Sequence, residues 1–273
     1  MRIPNWYRVD QDGLRFYRAW NLQSTGQVEH GFSTRLGGTS PAPYDTLNLS
    51  LAVGDDLSSV LANRARFAAA MGADVRRAAV ADQVHSNNVH VVTERDSGAG
   101  ALDHASALPG TDALVTNRPG LPLALHFADC ICIFLLDPVN HAIAAVHAGW
   151  RGTVRRVVTA AIDVMTREFG SAPAALLAAV GPAICRHCYE VGEDVAREVF
   201  RALPGEERVL TAHSNTKWKL DLKTANLLLL REAGVADANV AVSDACTSCS
   251  AGEFFSYRRD GTTGRMGGWI VLR

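Results

Sequence analysis

The stretch ADCICIFLLDPVNHAIAAVHAGWRGT, residues 128–153, reads as a β-hairpin with a reactive side chain at each outer end. Ile131 to Leu136 is a short apolar run rich in β-branched and aromatic residues. Asp137 and Pro138 break it, and Asn140 and His141 complete a polar turn. Ala142 to Val146 is a second apolar run of similar length. Antiparallel pairing brings the far ends of two such runs together. Those ends carry Cys130 and His147. A thiol beside an imidazole is either a nucleophile with its base or half of a metal site. After His147 the chain reads AGWRGT and turns helical. A helix is expected to begin near Thr153, with the Thr153 hydroxyl as N-cap. Its free N–H groups and Arg151 would then form an anion site on the same rim.

Composition narrows the partners. The chain has 273 residues, 48% hydrophobic and 20% charged, with a formal net charge of −1. This is an ordinary globular balance. It gives no basic face for nucleic acid or an anionic membrane. No apolar run reaches the roughly 18–20 residues of a membrane helix. The opening MRIPNWYRVDQDG has no apolar core of a signal peptide. The expectation is a cytoplasmic protein, acting as a monomer on a small molecule. No glycine pattern matches a dinucleotide or P-loop fingerprint.

Six cysteines occur as Cys130-Ile-Cys132, Cys185-x-x-Cys188 and Cys246-x-x-Cys249. The two C-x-x-C pairs raise a four-cysteine zinc site. Their separation far exceeds the usual ribbon spacing of about 15–20 residues, so buried free thiols are the expected reading.

Outward from the hairpin, strands are expected at Leu14–Ala19, Val28–Ser33, Ala78–Val84, His90–Thr93, Asp112–Thr116 and Leu121–Phe127. Further strands are expected at Leu176–Val180, Lys217–Leu222, Asn239–Val242, Phe254–Tyr257 and Trp269–Leu272. Helices are expected from a Ser58 cap to Met71, over Val154–Phe169, from Glu193 to Leu203 and over Ala225–Ala233. His85 falls at a strand end beside a turn, where site residues tend to lie. Arg35, before Gly37 and Gly38 in a long polar loop, is a candidate anion ligand. Strands and helices interleave irregularly, which gives an α+β fold with mixed sheets.

Several words of this chain together resemble the YfiH or laccase-domain family, once labelled multicopper polyphenol oxidases. They are FSTRLGG (32–38), PYDTLNLS (43–50), VGDD (53–56), DQVHSNNV (82–89), TDALVTN (111–117) and ADC (128–130). HAGWRGT (147–153), GPAICRHCYEVG (181–192) and FFSYRRDGTTGR (254–265) complete the set. The resemblance implies a single layered α/β/β/α domain over 1–273. It implies purine nucleoside phosphorylase activity on adenosine, inosine or methylthioadenosine, and adenosine deaminase activity. It also implies metal ligation by His85, Cys130 and His147. Many relatives carry a histidine where this chain has Ala52.

Two imidazoles and a thiolate suit Zn²⁺, and three protein ligands leave an open position, as in catalytic zinc sites. Phosphorolysis also needs phosphate held below the anomeric carbon. Arg151, Arg265, Arg258 and Arg259 are candidates beside Arg35. The alternative is a cysteine hydrolase, with Cys130 as nucleophile and His147 as base, cleaving an amide such as one in a cell-wall precursor. The oxidase label fits poorly, because the chain has no H-x-H word with which to build a multicopper cluster. Copper can still occupy such ligands in vitro.

Overall fold

The hairpin forms as its residue pattern directs. A computed structural model describes residues 5–273, so the first four residues of the N-terminal stretch lie outside the described residues. In chain order the strands of the first half are β1 (Trp6–Gln11), β2 (Leu14–Ala19), β3 (Val28–Ser33), β4 (Ala79–Val80), β5 (Val89–Val91), β6 (Ala113–Thr116) and β7 (Leu123–Phe127). Then follow β8 (Ile131–Asp137), β9 (Ala142–Ala148), β10 (Leu177–Val180), β11 (Glu190–Gly192), β12 (Leu210–Ser214), β13 (Lys217–Leu220), β14 (Val240–Val242) and β15 (Met266–Leu272). The helices are α1 (Trp20–Gln23), α2 (Leu57–Ala70), α3 (Trp150–Val154), α4 (Val157–Phe169), α5 (Glu193–Ala202), α6 (Leu222–Glu232) and α7 (Tyr257–Asp260).

Two six-stranded sheets carry the fold. The first has the order β1-β2-β3-β15-β7-β4 and the second β14-β10-β8-β9-β6-β5. Both are mixed: the edge pairs β4–β7, β5–β6 and β10–β14 are parallel, whereas the central pairs are antiparallel. A small third sheet, β11-β13-β12, stands apart from them. The strands β8 and β9 pair from Ile131↔Ala148 to Asp137↔Ala142, and every residue in them is buried. A strand covered on both faces has no polar alternation, which is why these two read as continuous apolar runs.

The layers follow from what packs on each face. Phe32, Leu125, Phe127 and Ile270 of the first sheet meet Phe134, Leu136, Ile143 and Ala145 of the second in one buried cluster. On the outer face of the first sheet, Phe67 of α2 packs edge-on against both Phe16 and Trp269. On the outer face of the second, Val158, Ile162 and Met165 of α4 and Leu229 of α6 cover Ile133, Leu135 and Val146. The result is helix, sheet, sheet, helix, an α+β architecture with mixed sheets as expected.

Five local expectations need correction. The strand expected over Ala78–Val84 is only the two-residue β4, and His85 follows it in a loop rather than at a strand end. The cap of α2 is Asp56, whose carboxylate accepts from Ser59 N–H, and Ser58 lies inside the helix. The helix after the hairpin begins at Trp150, not Thr153. It breaks after one turn because Arg156 adopts a left-handed conformation (φ 62°), and the main helix restarts at Val157. Thr153 therefore caps nothing; its buried hydroxyl accepts from Asn226 Nδ2 at 3.0 Å. The aromatic run at Phe254 is not a strand: Phe254 and Phe255 are buried in a loop, and Ser256 caps α7. Aromatic residues favour strands on average, but here core burial alone accounts for them.

Candidate metal centre

The site lies where the chain crosses between the sheets. Strand β7 belongs to the first sheet and β8 to the second, and Ala128-Asp129-Cys130 is the step between them. Asp129 sits at φ 92° with its carboxylate buried. It accepts from Thr247 Oγ1 (2.6 Å), Ser256 Oγ (3.0 Å) and Arg258 N–H (2.7 Å). Three donors fix this turn and with it the direction of Cys130. His147, near the end of β9, and His85, in the loop after β4, face the same point. One ligand atom from each of His85, Cys130 and His147 lies within 4.8 Å of the others. Cys130 Sγ is 3.8 Å from His85 Nε2, and the two imidazole centroids are 4.9 Å apart.

Asp112 is fully buried and holds the His147 imidazole and the backbone at His85. Its Oδ1 lies 2.8 Å from His147 Nδ1, which leaves Nε2 of that ring to face the cavity. The same carboxylate accepts from the backbone N–H groups of Val84, His85 and Ser86 and from Ser86 Oγ. His85 itself has φ 60°, a conformation uncommon for a non-glycine residue, and these bonds hold it there. A carboxylate behind a ligating histidine fixes the ring and raises its basicity. Asp112 escaped the sequence reading as a site residue; its one signal was its place in TDALVTN.

Gly149 leaves room for the cluster. A Cβ there would stand 2.8 Å from His85 Cδ2 and 2.9 Å from Cys130 Sγ, closer than real contacts allow.

Charge in the site is strongly coupled. For Cys130 burial opposes ionisation, but the imidazoles of His147 and His85 outweigh it and bring the thiol down to about 6. For His147 burial works against the cation, yet the Cys130 thiolate and Asp112 raise it to about 9. Asp112 resists burial through its bonds to His147 and Ser86 and falls to about 2. Without a metal, the resting state near neutral pH is a thiolate–imidazolium pair backed by a carboxylate.

The three residues open onto a cavity of about 570 Å³. Of the arginines singled out in the sequence, Arg151, Arg258 and Arg265 line it, whereas Arg35 and Arg259 do not. Arg35 is held by Asp45 Oδ2 (3.0 Å) and the Asp45 carbonyl (2.8 Å) and lies over Phe255. Arg259 is taken up by Asp260 and by the carbonyls of Thr247, Ser248 and Phe254. Arg151 makes no ion pair among the described residues and lies over the Trp150 ring at 4.4 Å. Arg265 is mostly buried and donates to the carbonyls of Thr263 and Gly264. A fourth lining arginine, Arg64, was unforeseen: it sits in α2, is almost fully buried, and has no carboxylate partner. Its guanidinium donates to the carbonyls of Leu49, Gly100 and Ala101 and faces His126 Nε2 at 3.3 Å. Burial lowers it to about 10, so it stays cationic at neutral pH. Ala52 also lines the cavity.

The purine nucleoside phosphorylase YlmD of Bacillus subtilis (strain 168) is 38% identical over 253 residues, covering 92% of this chain and 91% of that one. The adenosine deaminase RL5, from an unknown prokaryotic organism, is 37% identical over 219 residues, covering 80% and 83%. The crystal structure of YlmD from Geobacillus stearothermophilus superposes with a TM-score of 0.93 at 37% identity, covering 99% of this chain and all of that one. Residues 29–273 match the model of the family described as multi-copper polyphenol oxidoreductase laccase. The chain belongs to that family, and it is an enzyme like the relatives it matches.

Proposed function

We propose that this enzyme is a zinc-dependent purine nucleoside phosphorylase that also deaminates adenosine, with the whole chain working as one catalytic domain. The observation that carries the reading is the convergence of His85, Cys130 and His147, backed by Asp112, on a cavity lined by Arg64, Arg151 and Arg265. Relatives named for one activity or the other support it.

The donor set fits zinc. Two imidazoles and a low-lying thiol are borderline-soft ligands, and three of them leave a position open. Zinc bound there would supply Lewis acidity at the cavity floor. The protein's own groups do the rest. Asp112 holds the Nδ1 side of His147, so Nε2 is the atom that would release its proton and ligate. The arginines provide the positive charge that phosphate requires. Arg64 is locked on three carbonyls and acts as fixed charge, whereas Arg151 is free to reach an anion. Ala52 lines the cavity; if the histidine that the family resemblance places there touches substrate, the preferred nucleoside of this chain differs.

Copper is the weaker assignment. Two histidines and a cysteine are also the trigonal set of a mononuclear copper site, but such sites carry a long axial methionine or equivalent. No methionine lines this cavity, its glutamine Gln83 is engaged at both side-chain ends by the His126 backbone, and no histidine-rich set for a copper cluster occurs among the described residues. Copper binding in vitro stays compatible with the ligands.

A second reading has its own observation. Cys130, His147 and Asp112 together have the form of a nucleophile, base and orienting carboxylate, which would suit an amide hydrolase. His85 argues against it, because a simple triad has no use for a second imidazole on the sulfur. The deciding experiment is turnover of inosine and adenosine with and without phosphate. Phosphate-dependent release of free base and ribose 1-phosphate is expected, together with phosphate-independent formation of inosine from adenosine. Failure to turn over any nucleoside, with an acyl adduct on Cys130 in the presence of amide substrates, would establish the hydrolase instead. The free thiols fit a reducing cytoplasm, and the working form in this proposal is the monomer.

A further inference from the structure

Of the five cysteines outside the site, the four of the two C-x-x-C pairs are neither far apart nor all buried. Cys185 and Cys188 lie on the loop that leaves β10, and Cys246 and Cys249 on the loop that leaves β14. Strands β10 and β14 are parallel neighbours, so both loops emerge at the same end. They continue side by side, with Ala183 bridged to Cys246 and Thr247 N–H donating to the Ala183 carbonyl. Sequence spacing hid this proximity, because the two pairs come from adjacent parallel strands rather than from one ribbon. The four sulfurs lie within 4.8 Å of one another, and three of the four residues are partly or fully exposed.

We propose that Cys185, Cys188, Cys246 and Cys249 hold a second, structural zinc ion that ties these two loops together. The spacing suits it. A tetrahedron with Zn–S bonds of about 2.3 Å has S–S edges of about 3.8 Å. Cys188 and Cys249 are 3.3 Å apart and Cys185 and Cys249 are 4.0 Å apart. Backbone donors already address one sulfur: Cys185 N–H lies 3.2 Å and Cys249 N–H 3.4 Å from Cys246 Sγ. Such bonds favour a thiolate over a thiol. Four thiolates with a divalent ion carry two net negative charges. Lys223, fixed on the carbonyls of Ser243 and Ala245, brings positive charge beneath the loop. Arg259 grips the Thr247 and Ser248 carbonyls between the second pair. Four protein ligands close the coordination sphere, which makes this a staple and not a catalytic centre.

What it staples is one wall of the cavity. Ile184 and Tyr189 flank the first pair and line the cavity, and Arg258 lies over the Tyr189 ring at 5.0 Å. Thr247, next to Cys246, is the residue that bonds Asp129 in the turn carrying Cys130.

The test is metal analysis and X-ray absorption of the full-length protein, purified anaerobically. We expect about two zinc ions per chain, by ligand count. Cys188→Ser combined with Cys249→Ser should lose one and keep the other. The converse protein, His85→Ala with His147→Ala, should retain one zinc whose spectrum fits four sulfurs at about 2.3 Å. That second protein keeps the test decisive if the serine variant does not fold. Three results would overturn the proposal. One is a single metal per chain that disappears with the histidines, leaving four alkylatable thiols. Another is a Cys188–Cys249 disulfide in the anaerobic protein. The third is iron in place of zinc. Each readout is independent of turnover, so the staple and the nucleoside chemistry stand or fall separately.

Discussion

Asp112 connects the two halves of the metal centre, because one carboxylate orients His147 and anchors the backbone around His85. Asp112→Asn keeps the shape but removes the charge, and offers an amide N–H where acceptors are needed. Zinc affinity is expected to fall about 10–100-fold, the usual cost of losing such a partner. Competition with a chromophoric chelator would measure it, and unchanged affinity would reduce Asp112 to a loop anchor. Cys130 gives a second residue-level prediction, about the metal-free protein. Its thiol lies near 6, so the thiolate is present above that pH and lost below it. Carbamidomethylation of Cys130, followed by mass spectrometry, should be half-maximal near pH 6, well below the ~8.5 of an ordinary thiol. A midpoint near the ordinary value would mean that the imidazoles do not hold the thiolate. Of these residues, Cys130 and His147 were legible because the hairpin that presents them is a strong local pattern. Asp112 and Arg64 were not: a lone aspartate at a strand start and an arginine in a helix look solvated until the tertiary fold buries them.

At the scale of elements, the hairpin and α4 were legible for the same reason, a long apolar pattern with a clear stop. The Asp137-Pro138 turn ends β8, and Gly170 in a left-handed conformation ends α4. The break between α3 and α4 was not legible, since it rests on Arg156 at positive φ and no glycine marks it. What keeps α3 in place is burial and one side-chain bond. Gly152 and Thr153 are buried, and Asn226 of α6 donates to the Thr153 hydroxyl and to the Leu222 carbonyl. Thr153→Val keeps the volume and removes the acceptor. It should destabilise the protein by about 1–2 kcal/mol, because a buried amide donor loses a partner. Urea unfolding would read this as a lower midpoint at constant slope. Zinc binding at the proposed centre should be unchanged, since Thr153 acts on α6 and not on the ligands. Loss of zinc in this variant would instead make α3 part of the centre.

At the scale of the molecule, the proposed metal centre sits on the junction of the two sheets. Cys130 is in the crossing from β7 to β8, His147 comes from the second sheet, and His85 follows β4 of the first. An ion bound by all three therefore engages only the state in which both sheets are docked through Phe127 and Phe134. Ligands that bind the folded state alone stabilise it by RT ln(1 + [L]/Kd), about 2.7 kcal/mol at a hundredfold excess over Kd. Removing metal with a chelator should thus lower the thermal midpoint, and added zinc should restore it with a logarithmic dependence on concentration. The core offers an internal control. Phe134 is fully buried between the sheets, and Phe134→Ala should cost about 3–5 kcal/mol. If the metal acts by holding docked sheets together, this variant should gain the same free energy from zinc as the parent, since the ion adds to a docked state that the mutation only makes rarer. A zinc-independent midpoint in both proteins would mean that the ligands are organised equally in folded and unfolded chains, which the long sequence separation of His85 from His147 makes physically untenable, or that no ion binds there at all. Calorimetry of parent and variant across a zinc series, with His85→Ala/His147→Ala as the control for zinc held by the four cysteines, separates these outcomes.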